Sequence, residues 1–217
     1  MIKRKTAAAD RDGETEQRIL EAARTVFIRR GTAGARMQEI AAEAGVNQAL
    51  LHYYFRSKDR LSTAVFQQVA RGIFPPLAAT LGSDAPLDTK IEQLIHIYLD
   101  NLSRSPFLPG YLLAELHHHP ERLSELLGSV IGSQPAPVMA AVVAKLAQQI
   151  NERVAAGTMR PISPVQFVMN LISLCVFPFA ARPMLRIVFG MDDPAFAQFI
   201  AERKRELPEL YRNALRP

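Results

Sequence analysis

Met37-Gln-Glu-Ile-Ala-Ala-Glu-Ala-Gly-Val-Asn-Gln-Ala-Leu-Leu-His-Tyr-Tyr-Phe-Arg-Ser-Lys-Asp-Arg-Leu61 is the stretch whose spacing decides the fold. Met37, Ile40, Ala41 and Ala44 fall at i, i+3, i+4, i+7, one face of a helix. Gly45 ends that helix, because glycine reaches the left-handed backbone of a tight C-terminal turn without steric cost. Val46 then points back toward the core, and Asn47 has the side-chain oxygen needed to cap a second helix. That helix carries Gln48, Ala49, Leu50, His52, Tyr53 and Tyr54 around its circumference and keeps Leu51 and Phe55 as its buried pair. Helix, glycine turn and a short helix rich in hydrogen-bonding and aromatic groups is the outline of a helix-turn-helix, whose second helix enters the major groove of DNA.

The run Ile40-Ala41, Ala44-Gly45-Val46-Asn47, Leu51-His52-Tyr53-Tyr54-Phe55, Ser57-Lys58 and Leu61 resembles the DNA-binding domain of the TetR/AcrR family of bacterial transcriptional regulators. The resemblance covers roughly residues 14 to 66, and several spaced positions must agree at once. Two departures show: Gly34-Ala35 stands where the family often has a capping Thr or Ser, and His52 where Tyr is usual. Both bear on phosphate contacts and not on the fold.

Composition is that of an ordinary globular chain. The 217 residues are 48% apolar and 22% charged, with a net charge of +5. Residues 1–60 hold 12 Lys and Arg against 8 Asp and Glu, so the basic excess sits on the segment expected to meet phosphates. The single cysteine, Cys175, excludes an internal disulfide framework and fits a reducing cytoplasm. The N-terminus is basic without the apolar run of a signal peptide, and the apolar stretch around 168–181 is too short to span a bilayer. A cytoplasmic protein with no membrane partner is expected.

Residues 1–12 read as a flexible basic arm whose Lys3, Arg4 and Lys5 could reach phosphates, or as a solvated tail. Ile19, Leu20, Ala23, Val26 and Phe27 form the stripe of a helix from Glu14 to Arg30, closed by Gly31. Ser57 caps a helix from Lys58 that stops or kinks before Pro75-Pro76. Further helices follow over about 87–102, 111–118, 123–131 and 136–156. Ser163-Pro164 and Asp193-Pro194 are cap-and-proline signals opening the last two long helices. The first of these is apolar nearly all round and must be covered on all sides. That points to a second subunit, and the family resemblance implies the same, a four-helix bundle across a homodimer built by residues 163–186 and 194–212. Two reading heads one turn of duplex apart would suit a near-palindromic operator.

Other chemistry finds little support. His117-His118-His119 with Glu115 and His96 suggests a metal, but consecutive helical residues point about 100° apart and cannot converge on one ion. No metal or cofactor is expected. Cys175 reads as an inert core thiol. No Walker loop, GxSxG, HExxH or dinucleotide fingerprint occurs, so no enzymatic activity is expected.

The chain therefore reads as all-α, with an N-terminal three-helix DNA-binding domain at 13–57 and a larger helical effector-binding and dimerisation domain at 58–217. Asn47, Gln48, Ala49, Leu50 and Tyr53 are expected at base edges, with Gln48 on adenine and Leu50 on a thymine methyl. Arg36, His52, Tyr54 and Lys58 are expected on phosphates. By resemblance the larger domain encloses a pocket for a small lipophilic effector that lowers operator affinity, with Tyr98, Phe107, Met139, Phe167 and Met169 as lining residues. The competing reading is a helical ligand- or partner-binding protein with a vestigial helix-turn-helix.

Overall fold

The structure, a computed structural model, describes residues 2–106, 108–118, 128 and 135–217. Every element among the described residues is helical: α1 Ile2–Gly34, α2 Met37–Glu43, α3 Gln48–Phe55, α4 Lys58–Gly82, α5 Leu87–Arg104, α6 Leu108–His118, α7 Pro135–Ala155, α8 Pro164–Ala180, α9 Arg182–Phe189 and α10 Asp193–Ala214. They divide into two units, Met1–Ala70 and Arg71–Pro217, with the boundary inside α4 and not at its start, where the sequence placed it.

In the first unit, α1 brings Ile19, Ala23, Val26 and Phe27 to the core at 0–1% exposure, the stripe that the spacing predicts. Ile40 and Ala41 of α2, Leu51 and Phe55 of α3, and Leu61, Val65 and Phe66 of α4 complete it. Large apolar side chains buried to this degree stabilise by roughly 1.5–3 kcal/mol each, enough to hold helices as short as α2 and α3, which are marginal alone. Leu61, Val65, Phe66 and Ala70 are part of this core, and the unit extends past residue 57 with them. Two ion pairs, Arg29 to Glu43 and Arg30 to Glu39, tie α1 to α2 on the surface. The arm expected at 1–12 is instead helical from Ile2 onward, continuous with α1. Gly31 breaks that helix as expected, at φ 69°, although residues 32–34 make a further turn and not an open loop.

The second unit is organised on α5, which packs against α10 and α8. Ile91, Leu94, Ile95, Tyr98 and Leu102 all face inward, as their spacing requires. Phe167 meets Tyr211 edge to face at 5.5 Å, and Phe179 meets Phe196 at 5.4 Å. Cys175 is fully buried, and burial pushes its thiol up to about 12, consistent with an inert core residue. Four sequence expectations shift here. The helix α4 runs through Pro75 and Pro76 without stopping. The expected 163–186 helix is two, broken at Ala181. Asp192, not Asp193, caps α10, accepting from the Ala195 N–H at 2.9 Å. The helix expected from 111 begins at Leu108 and takes in Pro109 and Gly110. The helix expected at 123–131 falls outside the described residues except for Gly128, as do His119 and the side chains of Glu115 and His118. No single helix among the described residues is long and apolar enough to cross a membrane.

Candidate nucleic-acid interface

The turn between α2 and α3 is built by its hydrogen bonds. The Gly45 N–H donates to Ala42 O at 3.1 Å and the Val46 N–H to Ala41 O at 3.0 Å, the paired bonds of a Schellman turn. Gly45 sits at φ 64°, which an L side chain adopts only under strain. Asn47 follows with extended backbone, and its Oδ1 accepts from the Leu50 N–H at 2.7 Å. That is the cap expected of it, and it leaves the Asn47 amide N–H groups for a ligand.

On α3, Leu51 and Phe55 are buried while Gln48, Ala49, His52 and Tyr53 are exposed. Tyr53 is 75% exposed, unusual for so large a ring in a well-packed unit. Leu50 is half-buried, so only part of its side chain is presented outward. The buried pair fixes which face of α3 looks out, and the cap fixes where that face begins.

The residues expected on phosphates fall into two groups. Arg36 occupies the cap position of α2, exposed, with no side-chain cap bond. His52 is exposed, its Nδ1 3.2 Å from the Arg56 carbonyl. Lys58 and Tyr54 are already engaged. The Lys58 ammonium donates to Ala33 O at 3.1 Å and Ala35 O at 3.3 Å, fastening the α1–α2 connection. The Tyr54 hydroxyl donates to Asp12 Oδ1 at 3.0 Å; desolvation and that neighbouring carboxylate hold its pKa above the usual phenol value. Ser57 caps α4 as expected, accepting from the Arg60 N–H at 3.2 Å.

Arg56 belongs to the site's frame without any mark of it in the spacing or residue type. It ends α3 at φ 50°, the one non-glycine residue with positive φ among those described. The strain is local to the α3–α4 corner.

Of the residues expected around an effector, the structure brings two together. Tyr98 and Met139 line one apolar cavity in the second unit. Phe167 lines a different and largely polar one, with Asp88, Arg153 and Arg212, and Met169 is 51% exposed. Successive residues on a helix turn by 100°, so Val168, Leu171 and Ile172 face the first cavity while Phe167 and Met169 diverge from it. Phe107 lies outside the described residues.

Comparison with known proteins agrees with this geometry. Residues 19–65 match the family model for bacterial regulatory proteins of the tetR family, and residues 89–206 match that for a Tetracyclin repressor-like C-terminal domain. The chain is 38% identical over 120 residues to the HTH-type transcriptional repressor SCO4008 of Streptomyces coelicolor, covering 52% of this chain and 60% of that protein. It is 33% identical over 117 residues to the HTH-type transcriptional repressor Rv3405c of Mycobacterium tuberculosis, covering 54% and 59%. The alignments thus span about 60% of these relatives' own length. Among solved structures, the hemolysin II transcriptional regulator HlyIIR shares the fold at TM-score 0.59 and 22% identity, covering 94% of this chain and 98% of that one. With an N-terminal match over the helix-turn-helix and a C-terminal match over more than half its length, the chain belongs to the TetR family of bacterial regulatory proteins.

Proposed function

We propose that the protein is a homodimeric DNA-binding transcriptional repressor whose operator affinity falls when a small lipophilic molecule enters its second unit. The observation that carries the DNA reading is α3, a capped helix whose buried Leu51 and Phe55 leave Gln48, Ala49, His52 and Tyr53 on one open face. Gln48 offers the paired donor and acceptor that match adenine in the major groove, and Tyr53 offers a ring and a hydroxyl beside it. Arg36 and His52 supply phosphate contacts that set register. Lys58 keeps one N–H beyond its two backbone acceptors and Tyr54 spends its hydroxyl hydrogen on Asp12, so both also hold the reading head together.

The dimer is supported by the bare face of α8. Phe167, Leu171, Cys175 and Pro178 are buried, while Val165, Met169 and Phe177 on the opposite face are 62%, 51% and 60% exposed. A stripe of that kind is an interaction surface in search of cover, and a second copy also supplies the second reading head of a near-palindrome. Effector coupling is supported by α4, which carries Lys58 at its start and cavity-lining Phe74, Leu77, Ala78 and Leu81 farther along. A coupling of about 1–3 kcal/mol is enough for a switch.

The test is a fluorescence-anisotropy titration against the DNA upstream of its own gene. A regulator binds at submicromolar concentration with steep salt dependence. A helical ligand-binding protein with a vestigial helix-turn-helix shows neither.

A further inference from the structure

The apolar cavity of the second unit has a volume of about 200 Å³. Among the described residues its walls include Leu77 and Ala78 of α4, Leu94 and Tyr98 of α5, Met139 of α7 and Leu171 of α8. None of the described wall residues is charged, and the Tyr98 hydroxyl is the one conventional hydrogen-bonding side-chain group among them.

Tyr98 is only 9% exposed, and its hydroxyl has no hydrogen-bond partner among the described residues. Tyr211, buried in the same unit, makes the contrast: its hydroxyl donates to Phe167 O at 2.5 Å. Buried hydroxyls normally find a partner, because leaving one unmade forfeits its hydration with nothing in return. Among the described walls no other polar side chain competes for it, so its acceptor has to come from whatever occupies the cavity. Apolar cavities of about 150 Å³ stay dry and accept a benzene ring. This one has room for a ring and a short substituent.

We propose that this cavity binds a small neutral molecule of one-ring size whose oxygen accepts the Tyr98 hydroxyl hydrogen, and that it rejects carboxylates. The assignment of this molecule as effector rests on the regulatory reading above; the binding itself does not. Burial holds the Tyr98 phenol well above its ordinary pKa, so it stays a neutral donor. An anion entering would lose its hydration with no cation to meet it.

The experiment uses three probes of similar shape, ethylbenzene, acetophenone and benzoate, with the full chain and binding followed by calorimetry. Acetophenone should bind more tightly than ethylbenzene, and benzoate at least about tenfold more weakly than acetophenone. Tyr98→Phe should weaken acetophenone about three- to tenfold while leaving ethylbenzene unchanged. Ala78→Leu, which narrows the cavity, should weaken both neutral probes. Benzoate binding as well as acetophenone, an acetophenone affinity indifferent to Tyr98→Phe, or no binding of either neutral probe at millimolar concentration would each overturn the proposal. Operator binding measured in parallel separates the two ideas. DNA binding without probe binding removes the site alone, whereas probe binding without DNA binding removes the regulatory reading and leaves the site standing.

Discussion

At the scale of single residues, the reading head separates side chains that are free to meet DNA from those already spent on the fold. Arg36 is exposed without a cap bond, whereas Lys58 fastens Ala33 and Ala35. Arg36→Ala should therefore leave the thermal midpoint unchanged and lower the salt slope of DNA binding by roughly one. Lys58→Ala should weaken DNA binding and also destabilise the first unit by about 1 kcal/mol, seen as a lower urea midpoint. If both variants melt like the parent, the fastening role of Lys58 is wrong. The type of each residue was legible in the sequence, because exposure follows from position on a helix whose apolar face is plain. The partners were not. Tyr54 and Asp12 are 42 positions apart, and Arg29 and Glu43 are 14 apart, so no local spacing announces either contact. Arg56 at φ 50° carried no signal at all, since the usual marker for that backbone is glycine or asparagine.

At the scale of elements, caps were the most readable feature. Asn47, Ser57 and Ser163 each accept from the backbone N–H three residues on, where an N-cap should. Proline was the least readable. Pro75 and Pro76 were expected to stop or kink α4, and the helix does not stop at them. Pro178 inside α8 shows how such a break is covered. It has no N–H to give the Leu174 carbonyl, and Arg203 of α10 supplies two donors there, Nε at 3.0 Å and an Nη at 2.8 Å. Arg203→Ala should cost about 1–3 kcal/mol in denaturant unfolding, because the Leu174 carbonyl loses the donors that replace the missing helical bond. In a Pro178→Ala background the helix can satisfy Leu174 itself, so the same substitution should cost clearly less. Equal costs in the two backgrounds would show that Arg203 acts through other contacts.

At the scale of the whole molecule, the all-helical class and a helix-turn-helix near the start were legible because apolar periodicity and glycine turns are local signals. The cavity was legible only in part. Tyr98 and Met139 line it, but Phe167 and Met169 turn away, since a helix apolar all round does not say which side meets which neighbour. The same helix presents Phe177 outward, and Phe177→Glu should give a folded chain with unchanged helicity that sediments as a monomer. A dimer that survives this change would move the interface elsewhere. The most direct test of the central claim, that α3 reads a twofold DNA site, is selection of binding duplexes from a random pool, repeated with Gln48→Ala. The expected result is a near-palindrome with half-sites about one helical turn apart, and a loss of roughly 1–3 kcal/mol of discrimination at one position per half-site in the variant. An enriched site without twofold symmetry, or a Gln48→Ala variant that selects the same sequence as strictly as the parent, would contradict it.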